Sequence, residues 1–233
     1  MNSTVEIVNE ISEPVEEALR TIRSNIQFCS ADKTIKTICL TSCIPNEGKS
    51  MTSINLAVSM ADAEKKVLYI DADMRKPRFY KNVNLKLNVG LSNYLSGLAD
   101  ADEVISKTNI KNLDLVLCGP KPPNPAELIG GRRFGMLLER LKDRYDYIII
   151  DTPPLGSMID AAIVASKTDG TIILIEYKAI EVEKARKVKE QLEKANANII
   201  GIVLNKVPKK EMKDYYHYNY YYRKNDSKEV NML

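Results

Sequence analysis

Short apolar runs alternate with longer stretches of helical periodicity along the first 207 residues of the chain. The apolar runs are centred near residues 38, 68, 115, 148, 173 and 201. Each is apolar on both faces and too short for a helix, which is typical of a strand buried in a parallel sheet. The intervening segments are long enough for helical crossovers. The pattern therefore predicts one α/β domain over residues 1–207, a three-layer fold with a mostly parallel sheet between two layers of helices.

Helical periodicity predicts the elements that connect these strands. Apolar residues at positions 15, 19, 22 and 26 indicate an amphipathic helix over residues 13–28, and another helix begins at Lys49. Further helical segments are expected at residues 91–98, 102–107, 125–142, 158–166 and 181–195. A pair of glycines at 130 and 131 interrupts the segment that begins at residue 125.

The end of the chain shows neither the helical nor the strand period. Six of the twelve tyrosines fall within eight residues there, between charged flanks. They are Tyr215, Tyr216, Tyr218, Tyr220, Tyr221 and Tyr222. A polar, charged terminal segment of this kind buries too little apolar surface to fold, so residues 208–233 are predicted to form a disordered tail.

Composition and charge narrow the possible functions. A chain of 233 residues with 44% hydrophobic residues can bury a full core. Its net charge of +3 is spread thinly, so we expect no nucleic-acid partner. No apolar run approaches the ~20 residues of a membrane helix. The chain also lacks a charged-then-apolar leader at its start. We therefore expect a soluble intracellular protein.

The four cysteines and the single histidine exclude several kinds of catalytic site. The cysteines form no C-x-x-C pair, and the histidine, His217, lies in the predicted tail. A Ser-His-Asp triad or a histidine-rich zinc site therefore has almost no residues to be built from. The cysteines are interpreted as small apolar fillers. Cys43, in a predicted loop, is the one we expect to be open to oxidation.

The segment Thr37–Ser50 has the order of elements that a phosphate-binding P-loop requires. An apolar strand leads into a polar loop with Pro45, Asn46 and Gly48, and a helix follows from Lys49. Backbone N–H groups of such a loop cradle phosphates, the lysine reaches the β- and γ-phosphates, and the hydroxyl holds magnesium. The usual first glycine is replaced by Cys43. The alternative is an ordinary strand-to-helix turn with a capping serine.

Three carboxylates follow the ends of other predicted strands. Asp71 and Asp73 end the strand near residue 68, and Asp151 ends the strand near residue 148. In parallel sheets the carboxyl ends of the strands meet in one crevice, so these carboxylates should converge on the loop. With Lys49 and Ser50 they predict a site for a nucleoside triphosphate and Mg²⁺. Each aspartate alone could equally be a turn or capping residue.

Several segments together resemble one enzyme family. Val67–Pro77 resembles the second Walker motif of the bacterial protein-tyrosine kinases of capsule and exopolysaccharide synthesis, and Ile148–Pro154 resembles their Walker B motif. Glu17, Arg20 and Arg23 resemble the helix motif through which that family forms rings. The tyrosine cluster is similar to its autophosphorylated tail, and residues 122–128 and 201–206 are also similar to family segments. The resemblance covers about residues 13–222.

The resemblance implies a P-loop fold and an ATP- and Mg²⁺-dependent protein-tyrosine kinase of the Gram-positive type, a free cytoplasmic subunit. It would autophosphorylate its tail in trans within a ring and regulate polysaccharide synthesis. The implied partners are a membrane-anchored activator that holds the kinase at the inner membrane face, a cognate tyrosine phosphatase and protein substrates of polysaccharide synthesis.

The resemblance also assigns roles to residues. The catalytic residues would be Lys49, Asp71, Asp73 and Asp151. The metal would be held by Ser50, Asp73 and Asp151. The nucleotide would contact Asn46, Glu47, Gly48, Lys49, Ser50, Met51 and, at the base, Asn205. Asp71 would orient or deprotonate the tyrosine hydroxyl, although the division of roles between Asp71 and Asp73 stays open.

Three alternatives remain. A ParA- or MinD-like ATPase switch would share the fold, but its signature lysine is replaced here by Ile44, and such proteins lack a tyrosine cluster. An inactive nucleotide binder with a base-stacking tail is a non-enzymatic alternative. From the residues alone, Glu17 and Arg20 could also form a local ion pair on a solvated helix face rather than a ring contact.

Overall fold

Seven strands form a single sheet in the computed structural model, which describes residues 4–8, 11–30, 34–76, 89–208 and 210–211. The strands are β1 (Thr37–Ser42), β2 (Val67–Asp71), β3 (Ile105–Lys107), β4 (Leu113–Val116), β5 (Tyr147–Asp151), β6 (Gly170–Glu176) and β7 (Ile199–Asn205). The helices are α1 (Glu13–Cys29), α2 (Lys49–Asp62), α3 (Leu91–Leu95), α4 (Pro125–Gly130), α5 (Arg132–Lys142), α6 (Asp160–Ala165) and α7 (Val182–Lys194).

The order of the strands places β1 next to the middle of the sheet. The sequence across the sheet is β3-β4-β2-β5-β1-β6-β7, and every neighbouring pair is parallel except β3 and β4. β5 lies between β1 and β2, and Asp71 is in register with Asp151 across that pairing. The loop after β1 and the carboxylates that end β2 and β5 therefore share one edge of the sheet.

Apolar side chains on the two faces of the sheet build two separate cores. Alternate residues of a strand point to opposite faces, so Ile38 and Leu40 enter one core while Cys39 enters the other. The first core is closed by α1 and α2, through residues such as Leu19 and Ile54. The second is closed by α3 to α7. The predicted three-layer α/β fold is confirmed.

Two of the predicted elements differ in the structure. Residues 102–107 were expected to be helical, but Ile105–Lys107 is strand β3, antiparallel to β4 at the sheet edge. Burial of Ile105 and the ion pair from Lys107 Nζ to Asp114 Oδ2 (2.8 Å) outweigh the weak helical pattern. The helix expected at 125–142 is two helices, because Gly131 adopts an extended conformation (φ −62°, ψ 166°).

The predicted tyrosine-rich tail lies outside the described residues apart from Pro208 and residues 210–211. Its six tyrosines, and the expectation that it is disordered, therefore stay predictions. Within the ranges that are described, the structure contains no helix of the length and apolar character that a membrane crossing needs.

Two glycines give a paired test of the packing. A Cβ on Gly90 would lie 2.4 Å from the Gly119 nitrogen, whereas a Cβ on Gly135, inside α5, would have no neighbour within 4 Å. We expect Gly90→Ala to lower the free energy of unfolding by about 1–3 kcal/mol through overpacking. Gly135→Ala should raise it by about 0.5–1 kcal/mol, because alanine loses less backbone entropy in a helix. Urea denaturation measures the free energy of unfolding of both variants. Equal changes in the two variants would contradict the close packing at Gly90 and the open space at Gly135.

Candidate active site

The loop between β1 and α2 has the backbone that a phosphate cradle requires. Asn46 (φ 74°) and Gly48 (φ 92°) both adopt left-handed conformations, which asparagine tolerates and glycine favours. Gly48 is also required by space, since a Cβ there would lie 2.3 Å from Asn205 Nδ2. The N–H groups at the start of α2 complete the cradle, and the helix dipole favours an anion there.

Hydrogen bonds from outside the loop hold it in this shape. The buried Glu47 carboxylate accepts the N–H of Ile44 (2.8 Å) and the N–H of Glu176 (3.0 Å). Asn205 Nδ2 donates to the Glu47 carbonyl (2.7 Å), and Lys206 Nζ donates to the Asn46 carbonyl (2.7 Å). The side chain of Glu47 therefore ties the loop to β6, and the predicted contact of Glu47 with the nucleotide stays a prediction for its backbone. No pattern in the sequence indicates that the side chains of Glu47 and Lys206 hold the loop by these hydrogen bonds.

Cys43 occupies the place of the first glycine and is fully buried. Its carbonyl oxygen is approached so closely by Gly156 that a Cβ on that glycine would lie 2.1 Å away. Burial raises the pKa of the Cys43 thiol to about 11, so little of the reactive thiolate exists at neutral pH. The expectation that Cys43 is open to oxidation is therefore wrong.

Lys49 and Asp151 form a buried ion pair beneath the loop. Lys49 Nζ lies 2.5 Å from Asp151 Oδ1, and the two side chains are 7% and 2% exposed. Lys49 Nζ also lies 3.4 Å from Ser50 Oγ. Asp151 ends β5, directly beside β1, which is why residues a hundred positions apart meet here. The structure brings the P-loop lysine and this carboxylate together, as the sequence predicts.

Asp71 and Asp73 add two more buried carboxylates at the end of β2. Asp71 Oδ1 accepts the N–H of Asp73 (3.0 Å), and its Oδ2 is buried with no hydrogen-bond partner among the described residues. Burial, with the neighbouring Asp151 carboxylate, raises the pKa of Asp71 well above its usual range. Burial also raises the pKa of Asp73, although its Oδ1 accepts the N–H of Lys76.

A cavity of about 520 Å³ lies over these groups. Its polar lining includes Lys49, Ser50 and Asp73. Its apolar lining includes Ile7, Val8, Met51, Ile54, Pro153, Pro154 and Met158. Of the predicted nucleotide contacts, Asn46, Gly48 and Met51 also line it. Asp71 and Asp151 lie buried at the strand ends beside it.

A second ion pair at this cavity, in which only the carboxylate is fully buried, was not predicted from the sequence. Arg75 lines the cavity, and its Nε donates to both carboxylate oxygens of Asp160 (3.1 Å each). Asp160 is 2% exposed, so the guanidinium of Arg75 binds a buried carboxylate. The only signal in the sequence is that Arg75 belongs to the cationic run that follows Asp73.

The residues fit a magnesium ion that arrives with a nucleotide. Across the described ranges, no group of three or more His, Cys, Asp or Glu side chains is arranged to hold a metal by itself. Mg²⁺ usually takes one or two carboxylates, substrate phosphates and waters rather than a closed protein cage. Ser50, Asp73 and Asp151 supply oxygen ligands of the right chemistry, and the unpaired Asp71 Oδ2 has a free acceptor position.

The predicted ring-forming residues of α1 do not share one exposed strip. Arg20 lies on the solvated face, 3.6 Å from Glu16 and 3.5 Å from Glu17. Arg23 instead turns towards α2, where its Nη1 donates to the Ser59 carbonyl (2.5 Å). The local ion pair and a fastening of α1 to α2 are therefore present, and the ring contact stays a prediction.

Comparison with known proteins decides the family. Residues 35–200 match the family model described as an AAA domain. The tyrosine-protein kinase YwqD of Bacillus subtilis is 39% identical over 205 residues, covering 88% of this chain and 85% of the relative. The tyrosine-protein kinase CpsD of Streptococcus agalactiae is 43% identical over 196 residues, covering 82% of this chain and 83% of the relative. The chain belongs to the bacterial protein-tyrosine kinases.

Solved structures support the same assignment. The chimerical protein CapA2B2 superimposes with a TM-score of 0.80 at 39% identity, covering 85% of this chain and 87% of that one. The septum site-determining protein MinD of Pyrococcus horikoshii gives a TM-score of 0.63 at 23% identity, which shows a shared fold alone. The resemblance drawn from the Walker motifs is confirmed, and with it the P-loop fold and the protein-tyrosine kinase class of the enzyme.

The raised pKa of Asp71 predicts a pH-dependent penalty on folding. Because its folded pKa lies above the unfolded value near 4, this carboxyl opposes folding increasingly as pH rises from that value. Asp71→Asn, without nucleotide or metal, should therefore raise the free energy of unfolding at pH 7. The gain should shrink as the pH falls towards 4.

Urea denaturation at pH 7 and pH 4 tests this effect. Asp114→Asn is the matched control, because Asp114 is also buried but accepts hydrogen bonds from Lys107 and from Tyr145 (2.7 Å). That variant should destabilise the protein. A loss of stability for Asp71→Asn at pH 7 would contradict the environment described for this carboxyl.

Proposed function

We propose that this kinase transfers phosphate from Mg·ATP to its own C-terminal tyrosine cluster, in trans within a ring oligomer, and thereby regulates capsular or exopolysaccharide synthesis. The observation that carries the proposal is the buried Lys49–Asp151 pair under a P-loop, at a cavity that Asp73 also lines. The tyrosine cluster at the far end of the chain supplies the acceptor.

The P-loop and Lys49 position the phosphates for transfer. Phosphoryl transfer requires mainly alignment and stabilisation of charge, rather than covalent chemistry by the protein. The N–H groups of residues 46–51 hold the β- and γ-phosphates, and Lys49 exchanges its bond to Asp151 for contacts with them. Asn205 reads the base with the amide oxygen that it does not use on Glu47.

The carboxylates divide between metal binding and the acceptor. When bound, Mg²⁺ neutralises charge on the phosphates, held by Ser50, Asp73 and Asp151. Asp71 orients or deprotonates the tyrosine hydroxyl. Its raised pKa supports this role, because a base works best with a pKa near the operating pH, and its Oδ2 is not used by the fold.

The charge of the tail provides a means of release. Residues 209–233 carry six cations and four anions. Each phosphate adds about −1.5 to −2 charges, so two phosphates reverse the sign of the tail. A phosphorylated tail is then repelled from a site that already holds three carboxylates and a nucleotide. Its expulsion loosens the ring.

The proposed partners follow from the family. A membrane-anchored activator with a cytoplasmic tail would hold the kinase at the inner face of the membrane, and a cognate tyrosine phosphatase would reset it. Further substrates would be proteins of polysaccharide synthesis. Glu17, Arg20 and Arg23 on α1 would form the contact between subunits.

Mapping of phosphotyrosine after incubation with Mg·ATP tests the proposed reaction. The unchanged chain, with its activator's cytoplasmic segment present, should carry phosphate on the cluster Tyr215–Tyr222. Lys49→Met should reduce phosphorylation by at least about a hundredfold, since it removes an electrostatic contact to the transferred phosphate. Lys111→Met, at a lysine exposed outside the cavity, is the control and should have no effect.

Two outcomes would contradict the proposed reaction, one its mechanism and one its product. Lys49→Met that still phosphorylates its tail at the wild-type rate would remove Lys49 from the mechanism. Release of free phosphate without any phosphotyrosine would favour the MinD-like ATPase switch.

The ring contact is tested separately by a matched pair of arginines. Arg20 is 59% exposed and pairs with Glu17 three residues earlier, and Arg186 on α7 is 63% exposed and pairs with Glu183 in the same way. Arg20→Ala should shift the mass from light scattering from oligomer to monomer, whereas Arg186→Ala should not. Each local pair contributes only about 0.2–0.5 kcal/mol, so neither variant should change thermal stability measurably. Equal masses for the two variants would exclude Arg20 from the contact.

A further inference from the structure

The segment Thr4–Val8, which we call the N-terminal strap, lies in an extended conformation at the active-site cavity. Its residues alternate in exposure. Val5 and Ile7 are 1% and 8% exposed and belong to the core, whereas Glu6 is exposed and Val8 is 74% exposed. This is the alternation of a strand with one face inward. Glu6, Ile7 and Val8 all line the cavity. The apolar side chain of Val8 is therefore exposed at the candidate active-site cavity.

A side-chain amide holds the strap in position. Asn109 Oδ1 accepts the N–H of Ile7 (2.7 Å), and Asn109 Nδ2 donates to the Ile7 carbonyl (3.1 Å). The backbone of Val5 donates to the Lys107 carbonyl (2.8 Å) and accepts the N–H of Asn109 (3.1 Å). Asn109 is not one of the described residues that line the cavity, so it can act on the site only through the strap.

The strap meets the sheet at the edge opposite the proposed contact to the base. It bridges to Thr108, directly after β3, at one edge of the sheet. Asn205, the proposed contact to the base, ends β7 at the opposite edge. Asp71, the proposed contact to the tyrosine hydroxyl, ends β2, which lies between these edges and nearer to β3. The order of the strands therefore separates the strap from the base.

The lining of the cavity suits a phenol. Val8 and Met51 are 74% and 55% exposed, and both line the cavity with Ile54. Lys49 and Asp73 provide charged groups in the same cavity. A tyrosine side chain needs an apolar surface for its ring and a polar environment for its hydroxyl, and this cavity offers both.

We propose that the N-terminal strap is the wall against which the acceptor tyrosine packs, with Val8 as a specificity-determining contact and Asn109 as the positioning residue. The proposal rests on the proposed kinase reaction and names its acceptor subsite. The occupant is a tyrosine of the tail, residues 212–224. The exposed carboxylate of Glu6 suits a tail whose cations outnumber its anions before phosphorylation.

Steady-state kinetics with an added acceptor test the wall. The enzyme is the full chain with its six tail tyrosines replaced by phenylalanine, and the acceptor is a synthetic peptide of residues 212–224. Val8→Asp should raise the KM for the peptide at least about tenfold, the scale expected for losing one apolar contact in a specificity pocket. The KM for ATP should stay within about twofold.

Val182→Asp is the matched control. Val182 is 76% exposed, as Val8 is, but it begins α7 and does not line the cavity. Val182→Asp should leave the KM for the peptide and the KM for ATP unchanged. Val8→Leu, which keeps an apolar surface, should behave like the unchanged enzyme.

Asn109→Ala tests the positioning residue. Loss of both amide bonds should raise the KM for the peptide with little change in the KM for ATP. Asn109→Asp keeps the acceptor and loses the donor. Its KM for the peptide should lie between that of the unchanged enzyme and that of Asn109→Ala. A loss of stability alone would lower the concentration of active enzyme and leave both KM values unchanged, and that result would overturn the role of Asn109.

The outcomes separate this proposal from the kinase reaction on which it rests. If the unchanged chain phosphorylates no tyrosine at all, the kinase reaction fails. If it phosphorylates the peptide and Val8→Asp does so with the same KM, only the strap proposal fails. A rise in the KM for ATP without a rise for the peptide would place the strap beside the nucleotide and would also overturn the proposal.

Discussion

The ion pair between Lys49 and Asp151 is the interaction on which the arrangement of the site depends. It joins the first residue of α2 to the end of β5, and both side chains are almost fully buried. Removing one partner of such a pair typically costs about 3–5 kcal/mol, because the other charge is left buried and uncompensated. The neighbouring carboxylates of Asp71 and Asp73 increase the need for this cation. The pair therefore stabilises an anionic site, and in the proposed reaction a nucleotide and its metal would provide other partners.

The shape of the P-loop depends on contacts from the other end of the domain. The first glycine of the usual motif is absent, and the fully buried Cys43 replaces it. The loop keeps its form because Glu47 bonds to the backbone of β6, while Asn205 and Lys206 bond to carbonyls of the loop. The space needed at Cys43 is supplied by Gly156, whose missing side chain leaves room for the Cys43 carbonyl. A departure from the motif at one position is thus compensated at several distant ones.

The sequence predicts those parts of the fold that depend on the residue pattern within a single helix or strand. Apolar runs identify six of the seven strands, and the carboxylates at strand ends identify the site, because parallel topology brings such ends together. The short edge strand β3 was missed, since three residues carry no reliable period and its pairing with β4 decides it. The pair of Arg75 with Asp160 and the clamp through Glu47 were missed for a related reason. Each joins residues far apart in the chain, and a local pattern does not specify its partner.

Stability and activity are coupled at this site through its carboxylates. Burial raises the pKa values of Asp71 and Asp73, so each opposes folding at neutral pH when no cation is present. A ligand that binds only the folded protein stabilises it by about 2.7 kcal/mol at a hundred times its dissociation constant. Mg·ATP would thus relieve the repulsion between the carboxylates and raise the free energy of unfolding. In the proposed reaction, phosphorylation of the tail would do the opposite, because it would add anions near the same carboxylates. An anionic site would therefore bind the unmodified acceptor more tightly than the phosphorylated product, and this difference would favour release of the product.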